Sequence, residues 1–222
     1  MKKNTAGFTL IELLVVIGII AMLAALSLPV YNSVMLNAAM TDDLNNARQV
    51  GIGLKMLAQD NDGNYPSGTN IYGDQIVTSN DAFRSLIPNY IDNEKVFTVA
   101  RAKVGSTADN KTSPTSEILK PGENAFAYIE GLSTSSNSNW PLIVDETDGT
   151  GVYNNIETNL GGTWKGTKAV VVHTDSSAAM VPLLGTSPGR YIPRFDDSTQ
   201  NALSVAGYMG TGAKLLEPAQ PQ

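Results

Sequence analysis

The chain has 222 residues, 42% of them hydrophobic and 16% charged, with 15 basic residues against 21 acidic ones, a net charge of −6 and no cysteine. The acidic balance argues against nucleic-acid binding, which needs a basic footprint, and the lack of cysteine excludes a disulfide framework or a thiolate metal site. One helix of about fifty residues would leave roughly 170 for a globular part, enough for one modest core.

Residues 1–7 carry Lys2 and Lys3, no acid, and end at Gly7. An apolar run follows from Phe8 to Val30 with Glu12 as its one charge. The run is longer than the 7–15-residue apolar stretch of a secretory signal peptide, and no small-residue cleavage site follows before Pro29. It is long enough to cross a bilayer. Lys2 and Lys3 then place the N-terminus in the cytoplasm and the remainder outside. A buried core helix is the other reading, but a run apolar on every side rarely belongs to a soluble domain. An acid in such a segment costs roughly 2.5–3.5 kcal/mol on insertion scales, so Glu12 asks for a partner.

Residues 8 to about 60 read as one long helix. Pro29 lies inside it and predicts a kink or local melting between Leu26 and Val30. Gly18 and Ser27 offer small surfaces for close helix packing. Beyond Pro29 the pattern becomes amphipathic over 31–62: Met40, Leu44, Ala47, Gly51, Leu54 and Ala58 form an apolar stripe, with Val50 and Leu57 beside it. Asp42, Asp43, Asn45, Asn46, Arg48 and Gln49 fall mostly off that stripe. The stripe predicts packing on a globular body. The helix stops in Asp60-Asn-Asp-Gly-Asn-Tyr-Pro66, where Gly63 suits a left-handed C-cap and Pro66 blocks continuation. The same stretch resembles the start of a calcium loop, but Ile71 stands where the bidentate Glu belongs, which favours capping.

Residues 63–222 read as a β-rich body. Residues 67–80 are a polar loop. Asp81–Tyr90 is a short helix capped by Asp81, with Phe83, Leu86 and Ile87 on its apolar face. Residues 96–99 predict a short strand, and 105–116 a loop. Strands follow at 125–129 and 141–144, and a hairpin at 168–173 and 178–181. Glycine and proline recur from Leu184 on, and 217–222 reads as a frayed tail.

Gly7-Phe8-Thr9-Leu10-Ile11-Glu12-Leu13-Leu14-Val15-Val16 resembles the processing motif of type IV pilins and type II secretion pseudopilins. The resemblance implies that a prepilin peptidase cuts between Gly7 and Phe8, leaving 1–7 as a leader, and that Phe8 becomes N-methylated. It implies that Glu12 serves assembly by pairing with the N-terminal amine of a neighbouring subunit. The partners implied are copies of the chain, other pilins or pseudopilins, the peptidase, an inner-membrane assembly platform and the membrane. The Asp-Gly-x-Tyr-Pro pattern within 60–66 is similar to that of major pseudopilins. The order of motifs over 83–181 resembles, more loosely, the pilin-like proteins of planctomycete- and verrucomicrobia-type bacteria. Those often end in an Asp-Gly-His-Val hairpin, where this chain has Asp175-Ser-Ser-Ala.

No catalytic set competes with this reading. His173, Asp175, Asp145 and Ser176 would be the parts of a hydrolase, but no Gly-x-Ser-x-Gly or His-Glu-x-x-His motif accompanies them. Asp145, Glu146 and Asp148 are candidate calcium ligands, against the alternative of a solvated acidic loop. No other cofactor is expected. The fold expected is α+β, a long pilin-like N-terminal helix packed on a small antiparallel sheet with long loops. The function expected is that of a non-enzymatic filament subunit. It sits in the inner membrane by residues 8–30 with its body periplasmic, then enters a filament in the periplasm or at the cell surface. The alternative is a membrane-anchored exported binding or enzymatic domain that never polymerises, to which an acid in the bilayer would be of no use.

Overall fold

The computed structural model describes residues 9–204 and 208–221, without the Pro29 side chain. Helix α1, Leu10–Asp60, is 51 residues long. The chain divides into two compact units, Met1–Met40 and Thr41–Gln222.

From Leu10 to Val30 α1 is apolar apart from Glu12, and its described side chains are exposed on every side. The backbone stays helical through Leu26–Val30, so the local melting expected there is absent. Proline removes a single donor, the one that would reach the Ala25 carbonyl, and one lost bond does not unwind a helix whose neighbours are good formers. Ser27 Oγ donates to the Leu23 carbonyl at 2.8 Å, as hydroxyls in apolar helices do.

In the second unit Ala47, Val50, Gly51, Leu54, Leu57 and Ala58 are buried as the stripe predicts, while Leu44 is half-buried. Asp43 is the correction: it lies on the buried face, only 2% exposed. It precedes Ala47 by four residues, and that spacing puts both on one side of the helix. Gly51 sets the closeness of helix and sheet, for a Cβ there would stand 2.6 Å from Val172 Cγ1.

The short helix begins earlier than expected. α2, Ser79–Arg84, starts after Thr78, and Asp81 is its third residue. The Asp81 carboxylate accepts from Thr78 N at 2.8 Å and Thr78 Oγ1 at 2.7 Å, so Asp81 supports the cap from inside the first turn. Pro88 disfavours helical backbone at Ile87, and turns replace the second half of the expected helix. Phe83, Leu86 and Ile87 are fully buried nonetheless.

The strands β1 Phe126–Glu130, β2 Pro141–Asp145, β3 Lys168–His173, β4 Ala178–Pro182 and β5 Lys214–Leu216 form one antiparallel sheet in the order β4-β3-β2-β1-β5. β3 and β4 form the expected hairpin, pairing Lys168 with Pro182 and Val172 with Ala178. Tyr128, Ile143 and Val172 are aligned across β1–β3, and the last two lie against Gly51. The residue two beyond Ile143 on β2 shares its face; that residue is Asp145.

Two expectations fail in the body. Residues 96–99 are not a strand: Glu94–Phe97 is a 3-10 turn, because the Asn93 side chain accepts from Lys95 N at 2.9 Å and starts a helical turn. The tail is not frayed. β5 pairs with β1, and the segment after it is fastened at three points. Ser79 N donates to the Glu217 carbonyl at 3.0 Å, Gly122 N to the Ala219 carbonyl at 2.9 Å, and Ala219 N to Asn80 Oδ1 at 2.9 Å.

Candidate functional site

Gly7 and Phe8 lie outside the described residues. From Thr9 the geometry is explicit. Thr9 N and Thr9 Oγ1 donate to Glu12 Oε2 at 2.9 and 2.8 Å, and Glu12 N donates to Thr9 Oγ1 at 3.3 Å. This is a reciprocal capping box: two otherwise orphaned donors at the helix start are satisfied within the chain. Thr9-x-x-Glu12 is its sequence signature, which the reading of Glu12 as an unpartnered acid overlooked. Beyond the cap, Leu10 is 79% exposed and Leu26 63%. The most apolar stretch of α1 has a mean hydropathy of 2.8 and none of it is buried. Nothing lies within 4 Å of a Cβ placed on Gly18, so that position is open to a neighbour.

At its other end α1 stops by capping. Gly63 takes φ +81° and donates to the Ala58 carbonyl at 2.7 Å, closing the last turn. Tyr65, fully buried, donates from its hydroxyl to the Thr174 carbonyl at 2.9 Å and ties the helix end to the β3–β4 turn.

The three calcium candidates point into three different sets of donors. Asp145 Oδ2 accepts from Trp164 Nε1 at 2.9 Å and Val170 N at 2.8 Å. Glu146 accepts from Lys103 N at 2.7 Å, Val104 N at 3.0 Å and Thr163 Oγ1 at 3.1 Å. Asp148 accepts from Thr150 N and Oγ1 at 2.9 and 2.7 Å. Their carboxylates hold loops together rather than converging. Asp145 and Glu146 are buried, 2% and 1% exposed, so the reading as a solvated acidic loop fails as well. Burial pushes Asp145 up to about 6 and Glu146 up to about 7.

Among the described residues, the acids that do converge are Glu94, Asp109 and Glu123, each with an oxygen within 4.8 Å of the others. Sequence reasoning missed them because they lie on a turn and two separate loops. Glu94 is fully buried and accepts from Leu119 N and Lys111 N at 2.7 and 2.9 Å. Asp109 pairs with Lys120 Nζ at 2.6 Å, which holds its carboxyl down at about 2. Each acid therefore has donors of its own, and the group knits the loop from Glu94 to Glu123.

The hydrolase parts are not assembled. His173 Nδ1 lies 3.3 Å from Ser177 Oγ, while Asp175 Oδ1 accepts from Ser177 N at 2.7 Å. The Ser176 hydroxyl is buried in the turn, and Asp145 is engaged in the core.

Residues 2–28 match the family described as the prokaryotic N-terminal methylation motif. Over 38 residues the chain is 60% identical to prepilin peptidase-dependent protein D of Escherichia coli (strain K12). That stretch is 17% of this chain and 26% of the relative, so the chain spans about a quarter of the length of the curated relative it matches. No solved structure matches the chain. The N-terminal segment thus carries a prokaryotic N-terminal methylation motif leading into an apolar helix.

Proposed function

We propose that this chain is the structural subunit of a filament, built on the plan of a type IV pilus or a type II secretion pseudopilus. The observation that carries the reading is the exposure, on every side, of the apolar half of α1, with one carboxylate set in it. Such a surface needs lipid or other helices around it. In the inner membrane it is the anchor, with the N-terminus cytoplasmic and the body periplasmic. In the filament, neighbouring helices replace lipid. A prepilin peptidase cuts between Gly7 and Phe8, and Phe8 is N-methylated. Glu12 then exchanges its intrachain cap for the N-terminal amine of the next subunit. A carboxylate and an ammonium desolvated together fix register, a use of buried charge with good precedent. The body's role is structural rather than catalytic.

A second reading rests on the capping box. Glu12 already has a partner in its own chain, and an exported binding or enzymatic domain held by one helix needs nothing more. Glu12→Gln separates the two, because Gln serves a capping box as Glu does but carries no charge. The filament reading expects Glu12→Ala and Glu12→Gln subunits to be processed and inserted, with no filaments in electron micrographs of sheared cells. Normal filament numbers from Glu12→Gln would leave Glu12 as a helix cap alone.

A further inference from the structure

Asp43 and Asp145 are two acids on facing elements, each 2% exposed. Asp43 comes from the buried face of α1 and Asp145 from the face of β2 turned to it, and their carboxyls are in hydrogen-bonding contact. Among the described residues neither joins a salt bridge. Both oxygens of Asp43 and Oδ1 of Asp145 are buried without a donor. Two ionised carboxylates in such contact would leave two desolvated charges repelling each other with nothing to offset them.

We propose that Asp43 and Asp145 share one proton, and that the resulting carboxyl–carboxylate hydrogen bond latches α1 to the sheet. The donors already present decide which acid is ionised. Asp145 Oδ2 receives two N–H groups, from Trp164 and Val170, and these stabilise a carboxylate. Asp43 therefore keeps the proton and donates it to Asp145 Oδ1. One proton satisfies both groups, and the pair carries a single negative charge.

Among the described residues, no cation acts on the pair in place of that proton. The ionisable groups that act on the pair or on its neighbour Tyr153 are Glu146, Glu217 and Tyr153 itself, whose hydroxyl donates to the Asp145 carbonyl at 3.3 Å. Arg48, five residues along the helix, is exposed and donates to the Ala178 carbonyl at 3.4 Å. Burial and Asp145 hold the Asp43 carboxyl well above the ordinary carboxylate range.

The sign of the pH effect follows. A folded state that retains a proton the unfolded chain releases is stabilised in acid. It loses stability as pH rises above the ordinary carboxylate value, and the unfolding constant grows up to tenfold per pH unit for each such proton. Asp145 and Glu146 contribute only up to about 6 and 7. Asp43, held well above the ordinary carboxylate range by burial and by Asp145, adds its own proton to that slope.

The test uses the full chain in detergent micelles, with denaturant midpoints followed by tryptophan fluorescence, since Trp164 touches the pair. From pH 5 upward the wild type is expected to lose stability as pH rises. Asp43→Asn keeps an N–H donor toward Asp145 and carries no titrating proton, so its loss over the same range should be smaller. The protonated-carboxyl C=O stretch in the infrared should lose one carboxyl's intensity in Asp43→Asn relative to the wild type at the same pH. Should that variant not fold, the stretch is read in the wild type against Asp145→Asn. A flat wild-type profile, an unchanged slope in Asp43→Asn, or an unchanged infrared band overturns the proposal. So does a divalent cation that stabilises the wild type but not Asp43→Asn at pH 8, which would put an ion where the proton is placed.

Discussion

The first forty residues and the body treat acids in opposite ways. In the N-terminal segment one acid, Glu12, stands on an exposed apolar helix and is held by its own first turn. In the body Asp43, Glu94, Asp145 and Glu146 are buried, and those with donors draw them from segments distant in sequence. The first arrangement is a surface waiting for a neighbour, and its properties follow from composition. The second is a finished interior, and its properties follow from particular contacts. A change of side chain should therefore act on assembly in one region and on folding in the other.

The largest effect expected is all-or-none. Gly7→Val should block removal of the leader, so that only the full-length band appears on a gel while the body folds normally; a mature-sized band would break the assigned cut. Next come the glycines, which test the contrast directly. Gly51→Leu drives a side chain into Val172, whose branched Cβ leaves it little room to rotate away, and should destabilise the body by about 3 kcal/mol in denaturant unfolding. Asn124→Ala should follow. Asn124 Nδ2 donates to Ser79 Oγ and the Phe126 carbonyl at 2.8 and 3.0 Å, and its Oδ1 accepts from Phe126 N at 3.0 Å. Leaving these buried groups bare should cost about 2 kcal/mol by the same measurement. Smallest is Gly18→Leu, where a Cβ meets open space. The isolated subunit should change by less than about 0.5 kcal/mol, while filament yield should fall. A destabilised subunit would mean that the N-terminal helix is already packed before assembly.

The same contrast explains what could be read in advance. Leu10–Val30 announces itself by hydropathy, because nothing but its own composition decides its surroundings. β1–β4 were legible because their runs of Val, Ile, Tyr and Ala are flanked by turn residues. β5 was not: Lys214–Leu216 is a strand only because β1 offers it an edge. At 96–99 the β-branched residues suggest a strand, but the Asn93 side chain starts a helical turn over Glu94–Phe97. Asp43 was placed outside since acids on a helix usually face water. Its partner lies far along the chain on β2, and no local pattern links the two. In the candidate site, the motif around Gly7 and Phe8 was legible as a resemblance, whereas the Thr9–Glu12 cap could have been found from its spacing alone.

β5 has one more consequence, for the order in which this chain takes shape. The edge of β1 at Tyr128–Glu130 stays bare until Lys214–Leu216 arrives. Ser79, Asn80, Gly122 and Thr147 likewise wait for Glu217 and Ala219 to fill their hydrogen bonds. The strands β1 to β4 lie close together in the chain, yet the β1 edge can be sealed only by a strand far downstream of them. As it folds, the body must therefore pass through an interval in which it is open, with an unpaired strand edge facing its surroundings. A chain of this design is best protected if the stretch from Glu130 to Ala219 follows quickly, or if something covers that edge until the closing strand is in place.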